Sequence, residues 1–401
     1  MKLCVLTPIY ATTTSIQGTT PVVHYFAREW VKMGHVVNVF YLRHKFPRPY
    51  YWFSKRFQHQ LNTRLGMLVP IDYPKDEDFV ADGVTVHKRT LFKFKPHSRY
   101  STSRIKYAFK LISEDCEKNG IPDYFLGHWD NPQLELLCLL KQKFNRPVCL
   151  VFHSNRFDLE KLYGIKTKEM LSQIDVIGFR NKSAQEEFIL KYGAPKSSFL
   201  AYSGVSDAFI KAGDGFVRSF DKPIRNFVFV GSLISRKHPK EIVSALSKVY
   251  PDGDFTITFI GDGAEKEQIE KEFARNGSKG KLVFTGRIPR ETIIRYLKES
   301  DVFVMISHGE IFGLVYLEAM ALGVIPIGSQ NEGIDGVIVD GKNGFLCRAG
   351  DVEDLMSVLS RIKRMSAQEL ELLSEEAQKT AQEYSDFGVA ANYLRSLPCS
   401  Y

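Results

Sequence analysis

The sequence predicts an α/β protein of two doubly wound domains, each a parallel sheet with helices on both faces. Two observations lead to this fold class. Short apolar runs alternate with helical patterns along most of the chain, as in proteins with parallel sheets. The length of 401 residues suits two domains, and 44% apolar with 25% charged residues is typical of a globular protein. No apolar run approaches the roughly 20 residues of a membrane-spanning helix.

The first half of the chain contains one series of strands and helices. Its strand-like apolar runs are Leu3–Leu6, Val36–Tyr41, Tyr124–Leu126, Val148–Phe152 and Val176–Phe179. Helical patterns lie between them at Val22–Met33, Gln133–Lys143 and Ser183–Lys191. Strands separated by helices in this way pair in parallel.

The second half repeats the arrangement. Strands are predicted at Phe227–Val230, Thr256–Ile260, Leu282–Phe284, Val302–Ile306 and Val324–Ile327. Helices are predicted at Pro239–Val249, Ala264–Ala274, Glu291–Leu297, Phe312–Leu322 and Val352–Lys363.

The domain limits follow from these two series. We assign residues 1–204 to the first domain and residues 226–383 to the second, and we expect a helix at about 384–401 to pack back on the first domain. Residues 205–225 are rich in Gly, Asp and Ser and lack periodicity, which predicts a linker. Because ligands bind beyond the carboxyl ends of strands in such sheets, we expect two domains facing each other across a cleft that holds the site.

The spacing of the cysteines and of the acidic residues predicts neither a disulfide framework nor a metal site. The six cysteines are scattered and none forms a Cys-x-x-Cys pair, so we interpret them as reduced thiols of a cytoplasmic protein. Asp76-Glu-Asp78 lies in a polar loop, and Asp252-Gly-Asp254 is typical of a turn. We therefore expect no metal site.

The net charge of +8 is concentrated in two segments. Residues 43–64 contain six Lys or Arg and residues 84–110 contain eight, with no Asp or Glu in either and with aromatic residues interleaved. Segments 43–64 and 87–110 are interpreted either as solvated loops or as a peripheral contact with an anionic membrane. Nucleic-acid binding is a third hypothesis, but no known nucleic-acid module is present, so we expect no such partner.

The stretch from His308 to Ile327 carries the most chemical information. The start of its predicted helix presents backbone N–H groups that suit a diphosphate, and these belong to Ile311, Phe312, Gly313 and Leu314. Glu310 precedes the helix and Glu318 lies within it, where carboxylates can accept hydrogen bonds from sugar hydroxyls. The alternative is a loop carboxylate and a second carboxylate on a solvated helix face.

This stretch resembles the signature of the retaining glycosyltransferase family 4, whose members share the GT-B fold. The resemblance extends to four further segments, Phe229–Lys237, Phe259–Gly263, Phe284–Arg287 and Ile338–Leu346, and near the N-terminus to Gln17-Gly18-Thr19. Two positions depart from the pattern. Ser232 stands where the family often has Arg, and Gln17 replaces the first of two glycines.

The resemblance implies a role for particular residues in donor binding. Glu318 would hold the ribose hydroxyls and Glu310 would contact the transferred sugar. Lys237 and Arg236 would neutralise the diphosphate in the turn that contains Gly231, since basic residues beside a helix start otherwise oppose its dipole.

Three further residues complete the implied site. Arg287 would lie next to the nucleobase, and the backbone of Gly18 would approach the phosphate and the sugar. His153 would line the cleft near the anomeric carbon and act with Glu310 and Lys237 as the catalytic group. A structural role for His153, at a strand end, is the alternative.

The activity so implied is transfer of a hexosyl or N-acetylhexosaminyl group from a nucleotide-diphosphate sugar to a saccharide or lipid-linked acceptor. Retention of configuration, independence of metals and cofactors, and a place in polysaccharide or glycolipid biosynthesis belong to the same expectation. The enzyme would sit on the inner face of the cell membrane. A sugar-nucleotide epimerase of related fold is the alternative.

Overall fold

The chain folds into two compact units. The computed structural model describes residues 1–11, 21–58, 60–61, 71–95 and 98–398. Described residues of 1–58, 69–202 and 386–398 form the first unit, and residues 203–385 belong to the second. Gly18 and Cys399 lie outside the described residues.

The first unit is built on a twisted sheet whose described strands follow the order β3-β4-β2-β1-β5-β6-β7-β8. All neighbours pair in parallel except β3, which is antiparallel to β4. The strands are β1 Lys2–Thr7, β2 Val36–Lys45, β3 Glu77–Ala81, β4 Val84–Phe92, β5 Tyr124–His128, β6 Val148–Phe152, β7 Val176–Phe179 and β8 Ser198–Leu200.

Helices cover both faces of this sheet, as parallel strands require. In chain order they are α1 Val22–Lys32, α2 Arg48–Arg56, α3 Thr102–Asn119, α4 Gln133–Phe144, α5 Leu159–Tyr163, α6 Thr167–Gln173 and α7 Lys182–Tyr192. Strands β5, β6 and β7 are buried along their whole length.

The second unit contains a parallel sheet in the order β11-β10-β9-β12-β13-β14. Its strands are β9 Asn226–Val230, β10 Thr256–Ile260, β11 Lys281–Gly286, β12 Val302–Val304, β13 Ile325–Ser329 and β14 Phe345–Cys347. The helices are α8 Asp207–Gly213, α9 Pro239–Val249, α10 Lys266–Arg275, α11 Arg290–Lys298, α12 Leu314–Ala321, α13 Val352–Arg364 and α14 Ala367–Glu383.

The last helix, α15 Asp386–Arg395, returns to the first unit and packs on α1. The indole N–H of Trp30 donates to the carbonyl oxygen of Ala390 at 3.0 Å. Arg28 forms an ion pair with the buried carboxylate of Asp386 at 3.0 Å. The first unit is therefore assembled from two ends of the chain.

The structure confirms the predicted fold class, with differences in detail. The described residues of the two basic segments include regular elements: α2 lies in the first segment, and β4 and α3 contribute to the second. The predicted linker contains α8, which packs against α12 and α14 of the second unit. Across the described parts of the chain, no helix combines the length and apolarity needed to cross a bilayer.

Candidate functional site

The sheet of the second unit reverses its winding direction between β9 and β12. The chain runs from β9 to β10 and β11 on one side, then resumes with β12 on the other side of β9. Loops leaving the carboxyl ends of two such strands diverge and create a crevice at the sheet edge. The turn 231–237 after β9 and the loop 305–313 after β12 border this crevice.

Lys237 lies at the centre of this crevice. A short 3₁₀ helix, Ser235–Lys237, aims its side chain at the loop after β12. Its Nζ lies 3.4 Å from Oε2 of Glu310 and 3.3 Å from Sδ of Met305, and its side chain is only 12% exposed. Burial lowers the pKa of Lys237, and the Glu310 carboxylate opposes that shift. A poorly hydrated cation is strongly attracted to an anionic ligand.

Arg236 adds a second cation at the same carboxylate. Its guanidinium lies 3.5 Å from Oε2 of Glu310 and is about half exposed. Its backbone carbonyl accepts the N–H of His308 at 2.7 Å, which ties the turn after β9 to the loop after β12. The sequence named Arg236, Lys237 and Glu310, and the structure brings them together.

Glu332 holds the backbone of Glu310 in place. Oε2 of Glu332 accepts the Glu310 N–H at 2.7 Å, and its Oε1 lies 3.1 Å from Nδ1 of His308. Glu332 follows β13, the neighbour of β12, and its side chain is 11% exposed. Glu332 was not identified from the sequence, because only the order of strands in the sheet brings it beside Glu310.

Helix α12 begins two residues later than predicted. Gly313 precedes it with φ +78°, a left-handed conformation that favours glycine. A Cβ at Gly313 would lie 2.5 Å from the ring of Tyr316, so the position also lacks room for a side chain. Phe312 is buried and Ile311 is 38% exposed. Leu314 is therefore the first helical residue at the crevice.

Glu318 is buried in the middle of α12 and is paired with a cation. Its side chain is 5% exposed, and Oε1 accepts Nε of Arg290 at 2.6 Å and also Nη2 of the same guanidinium. Arg290 is the first residue of α11 and lies over the ring of Phe209. A buried carboxylate needs such a partner. The sequence identified Glu318 but not its partner Arg290.

Gly231 and Arg287 occupy other strand ends of the same sheet. Gly231 follows β9, where a Cβ would lie 2.9 Å from Nζ of Lys237, so glycine leaves room for that cation. Arg287 is exposed after β11. Within the described residues, no hydrogen bond or ion pair joins Arg287 to Lys237 or Glu310.

His153 belongs to the first unit, directly after β6. Its Nε2 lies 2.9 Å from Nδ1 of His128, and its ring stacks on Trp129 with 3.8 Å between centroids. Burial, together with the nearby Arg180 cation, lowers the pKa of both histidines, that of His128 to about 3. His153 is therefore neutral at physiological pH. Gly18 lies outside the described residues.

The acidic triplets hold other partners. Asp78 forms an ion pair with Arg89 at 2.5 Å, and Asp76 accepts the backbone N–H of Thr90 at 2.8 Å. Asp254 pairs with Arg225 at 2.6 Å. Over the described ranges, no group of three or more His, Cys, Asp or Glu side chains is arranged to bind a metal ion.

Comparison with protein families connects this crevice to a known group. A sequence model described as glycosyl transferases group 1 matches residues 216–380. Residues 216–380 resemble this family. They contain all the donor-site residues of the second unit discussed above.

Two curated relatives match the same part of the chain. The sulfoquinovosyl transferase SQD2 of Arabidopsis thaliana is 32% identical over 179 residues, which cover 44% of this chain and 33% of that protein. The N-acetyl-alpha-D-glucosaminyl L-malate synthase of Bacillus anthracis is 35% identical over 115 residues, which cover 29% of this chain and 30% of that protein. The matches thus span about a third of each relative.

Solved structures extend the likeness to nearly the whole chain, at the level of fold. Sucrose-phosphate synthase of Thermosynechococcus elongatus superimposes with a TM-score of 0.67 at 16% identity and covers 98% of both chains. Anabaena HepE, in complex with UDP, gives a TM-score of 0.65 at 15% identity and covers 99% of both chains. These likenesses support the GT-B fold.

Proposed function

We propose that this protein is a glycosyltransferase that moves a sugar from a nucleotide-diphosphate donor to a saccharide or lipid-linked acceptor with retention of configuration. The observation that carries the proposal is the cluster of Lys237, Arg236 and Glu310 at the reversal point of the second sheet. The cluster lies in the region that matches the glycosyl transferases group 1.

In the proposed reaction, charge grows on the leaving phosphate as the glycosidic bond breaks. Lys237 and Arg236 stabilise that charge, together with N–H groups at the start of α12. Because the cations are already held in place by Glu310, they need little reorganisation when the phosphate arrives. The leaving phosphate then accepts the proton of the incoming acceptor hydroxyl, on the face from which it departs.

Glu318 is proposed to bind the ribose of the donor. Its carboxylate is buried, and the contact with Arg290 engages Oε1. Hydrogen bonds from the ribose hydroxyls to this carboxylate would be charge-assisted and therefore strong. A solved structural relative in complex with UDP makes UDP-sugars the first donors to test.

The acceptor is proposed to lie at a membrane surface. Helix α2 exposes Trp52 and Phe53 beside the exposed cations Lys55 and Arg56, which is a suitable combination for the interface of an anionic bilayer. In contrast, Lys93 of the second basic segment is buried and Arg99 pairs with Glu135 at 2.9 Å. The membrane contact is therefore proposed at α2.

The deciding experiment is titration of the protein with UDP, GDP and dTDP, and with UDP-sugars, followed by assay of sugar release. Glu318→Ala should weaken binding of the matching nucleotide by about tenfold or more, since a charged hydrogen bond is worth roughly 1.5–3 kcal/mol. Glu375→Ala removes an exposed carboxylate from α14 and is the matched control. Equal affinity in a folded Glu318→Ala variant would contradict the assignment, and no binding of any nucleotide would contradict the function.

A further inference from the structure

Two histidines lie beside the reversal point of the first sheet, at the ends of neighbouring strands. Its order places β5 on the opposite side of β1 from β2, so β1 and β5 mark the position where the winding changes direction. His128 is the last residue of β5, and His153 comes directly after β6, the next strand. Both imidazoles therefore lie at the sheet edge where doubly wound domains bind ligands.

The ring of His153 is restrained from two directions. Nδ1 of His128 lies 2.9 Å from its Nε2, and Trp129 covers one face of its ring with an interplanar angle of 12°. Trp129 itself has φ +65°, a left-handed conformation that costs a non-glycine residue on the order of 1 kcal/mol. The backbone is thus held in an unfavourable conformation at the residue that stacks on His153.

A single proton must lie between the two histidines. Burial and the Arg180 cation lower the pKa of both groups, so both imidazoles are neutral and each carries one N–H. If His153 donated from Nε2, then His128 would carry its own proton on Nε2. That nitrogen is buried, and among the described residues it has no hydrogen-bond partner.

The cost of an unpaired Nε2–H on His128 favours the other tautomer. A buried N–H without an acceptor loses its hydration and costs about 1–3 kcal/mol, whereas an unpaired acceptor is tolerated more often. The proton therefore lies on Nδ1 of His128, which donates to Nε2 of His153. His153 must then carry its own proton on Nδ1, the ring nitrogen that does not face His128.

We propose that His128 is a positioning residue that holds His153 as its Nδ1–H tautomer, so that His153 presents a hydrogen-bond donor, and not a base, at the carboxyl edge of the first sheet. This role of His153 rests on the proposed glycosyltransferase function, whereas the tautomer does not. A neutral donor at this position binds a hydroxyl or ring oxygen of the sugar. It accepts no proton, which agrees with a leaving phosphate that takes the acceptor's proton.

The first test reads the tautomer directly and needs no substrate. Two-bond ¹⁵N–¹H correlation spectra of histidine-labelled protein at neutral pH should show His153 protonated on Nδ1, with the signal assigned by its loss in His153→Gln. In His128→Leu, which removes the donor, His153 should become a mixture of tautomers. An Nε2–H signal for His153 in the wild-type protein would overturn the proposal.

The second test asks whether the tautomer matters for turnover. His128→Asn keeps an N–H near the position of Nδ1 and should stay within about threefold of wild type, whereas His128→Leu should lower kcat/KM for the donor by about tenfold, the size of one lost hydrogen bond. Equal losses in folded Asn and Leu variants would reduce His128 to a structural residue. If wild-type protein transfers no sugar at all, the function fails while the spectra still decide the tautomer.

Discussion

The ion pair between Arg290 and Glu318 is a local contact with consequences for both stability and ligand binding. Glu318 is almost completely buried, and among the described residues its carboxylate forms an ion pair with Arg290. In the donor complex that we propose, the ribose hydroxyls approach the same carboxylate. Arg290 therefore balances the charge of the Glu318 carboxylate until the donor ribose binds to it.

Replacing Arg290 with Ala should lower the free energy of unfolding by about 1–3 kcal/mol, because a buried carboxylate loses its charged partner. Arg287→Ala removes an exposed cation three residues away and should change stability by less than about 0.5 kcal/mol. Urea denaturation of the two variants measures the difference. Similar values for both would show that Glu318 does not depend on Arg290.

Lys93 is a buried cation of the second basic segment. Its side chain lies over the ring of Tyr100, 4.7 Å from the centroid, and burial lowers its pKa to about 8. In the unfolded chain a lysine has a pKa of about 10.4, so the unfolded state binds more protons than the folded state between these two values. The contribution of Lys93 to stability therefore rises from pH 8 to pH 10.

Lys93→Met removes the buried charge and keeps a side chain of similar volume. At pH 7 the variant should be more stable than the wild type, by at most about 3 kcal/mol, and the difference should shrink as pH approaches 10. Unfolding curves at pH 7 and pH 9.5 measure both values. A difference that is constant with pH would contradict burial of a charged Lys93.

Some of the residues in the candidate site could be named from the sequence, and others could not. Lys237, Glu310 and Glu318 lie in continuous motifs, so their types and spacing were informative. Glu332 lies 22 positions from Glu310, whose backbone N–H it accepts, and is in a loop of ordinary composition. Arg290 lies 28 positions from the carboxylate of Glu318, at a helix start. Only the order of strands in the sheet makes them neighbours, and composition does not encode that order. The roles of all these residues stay predictions until tested.

At the scale of elements, helix α2 presents aromatic and basic side chains on one exposed surface. Trp52 and Phe53 are 66% and 50% exposed, which is unusual for large apolar side chains, and Arg56 lies near the Trp52 ring. In strand β4, by contrast, two cations are paired with carboxylates. Lys88 pairs with Glu77, and Arg89 with Asp78, across the antiparallel pair β3–β4.

This contrast provides a matched comparison for the membrane hypothesis. Removing the cations Lys55 and Arg56 by substitution with Ser should reduce co-sedimentation with anionic vesicles, and more strongly at low salt, where the Debye length is long. The Lys88→Ser, Arg89→Ser variant loses the same charge from paired positions and should bind like the wild type. Equal behaviour of the two variants, or binding that does not depend on lipid charge, would exclude α2 as the contact.

The strength of the sequence signal varied between elements for a physical reason. Strands β5, β6 and β7 are buried on both faces, so they are continuous apolar runs and were predicted within two residues. Strands β3 and β4 form an edge of the sheet and carry paired charges, which conceals them among polar residues. Helix α3 was not predicted from the sequence, because it begins in the second basic segment.

At the scale of the whole molecule, the balance of charge bears on whether a metal is needed. The chain has a net charge of +8, and the proposed phosphate site already contains two cations. Sugar transfer should therefore continue in EDTA at a rate within about twofold of the untreated enzyme. Lys237, Arg236 and the backbone N–H groups at the start of α12 would compensate the phosphate charge. Loss of activity on chelation, with recovery on adding Mn²⁺ or Mg²⁺, would contradict this.

The return of α15 to α1 also sets an order of events during synthesis on the ribosome. Trp30 donates its indole N–H to the carbonyl oxygen of Ala390, and Arg28 forms an ion pair with Asp386, more than 350 positions later in the sequence. Because domains generally fold as the chain emerges, residues 203–385 leave the exit tunnel while the first unit still lacks its last helix. The unit that contains α1 is therefore completed only after residues 203–385 have been made, and its surface at α1 stays open to chaperones until α15 emerges.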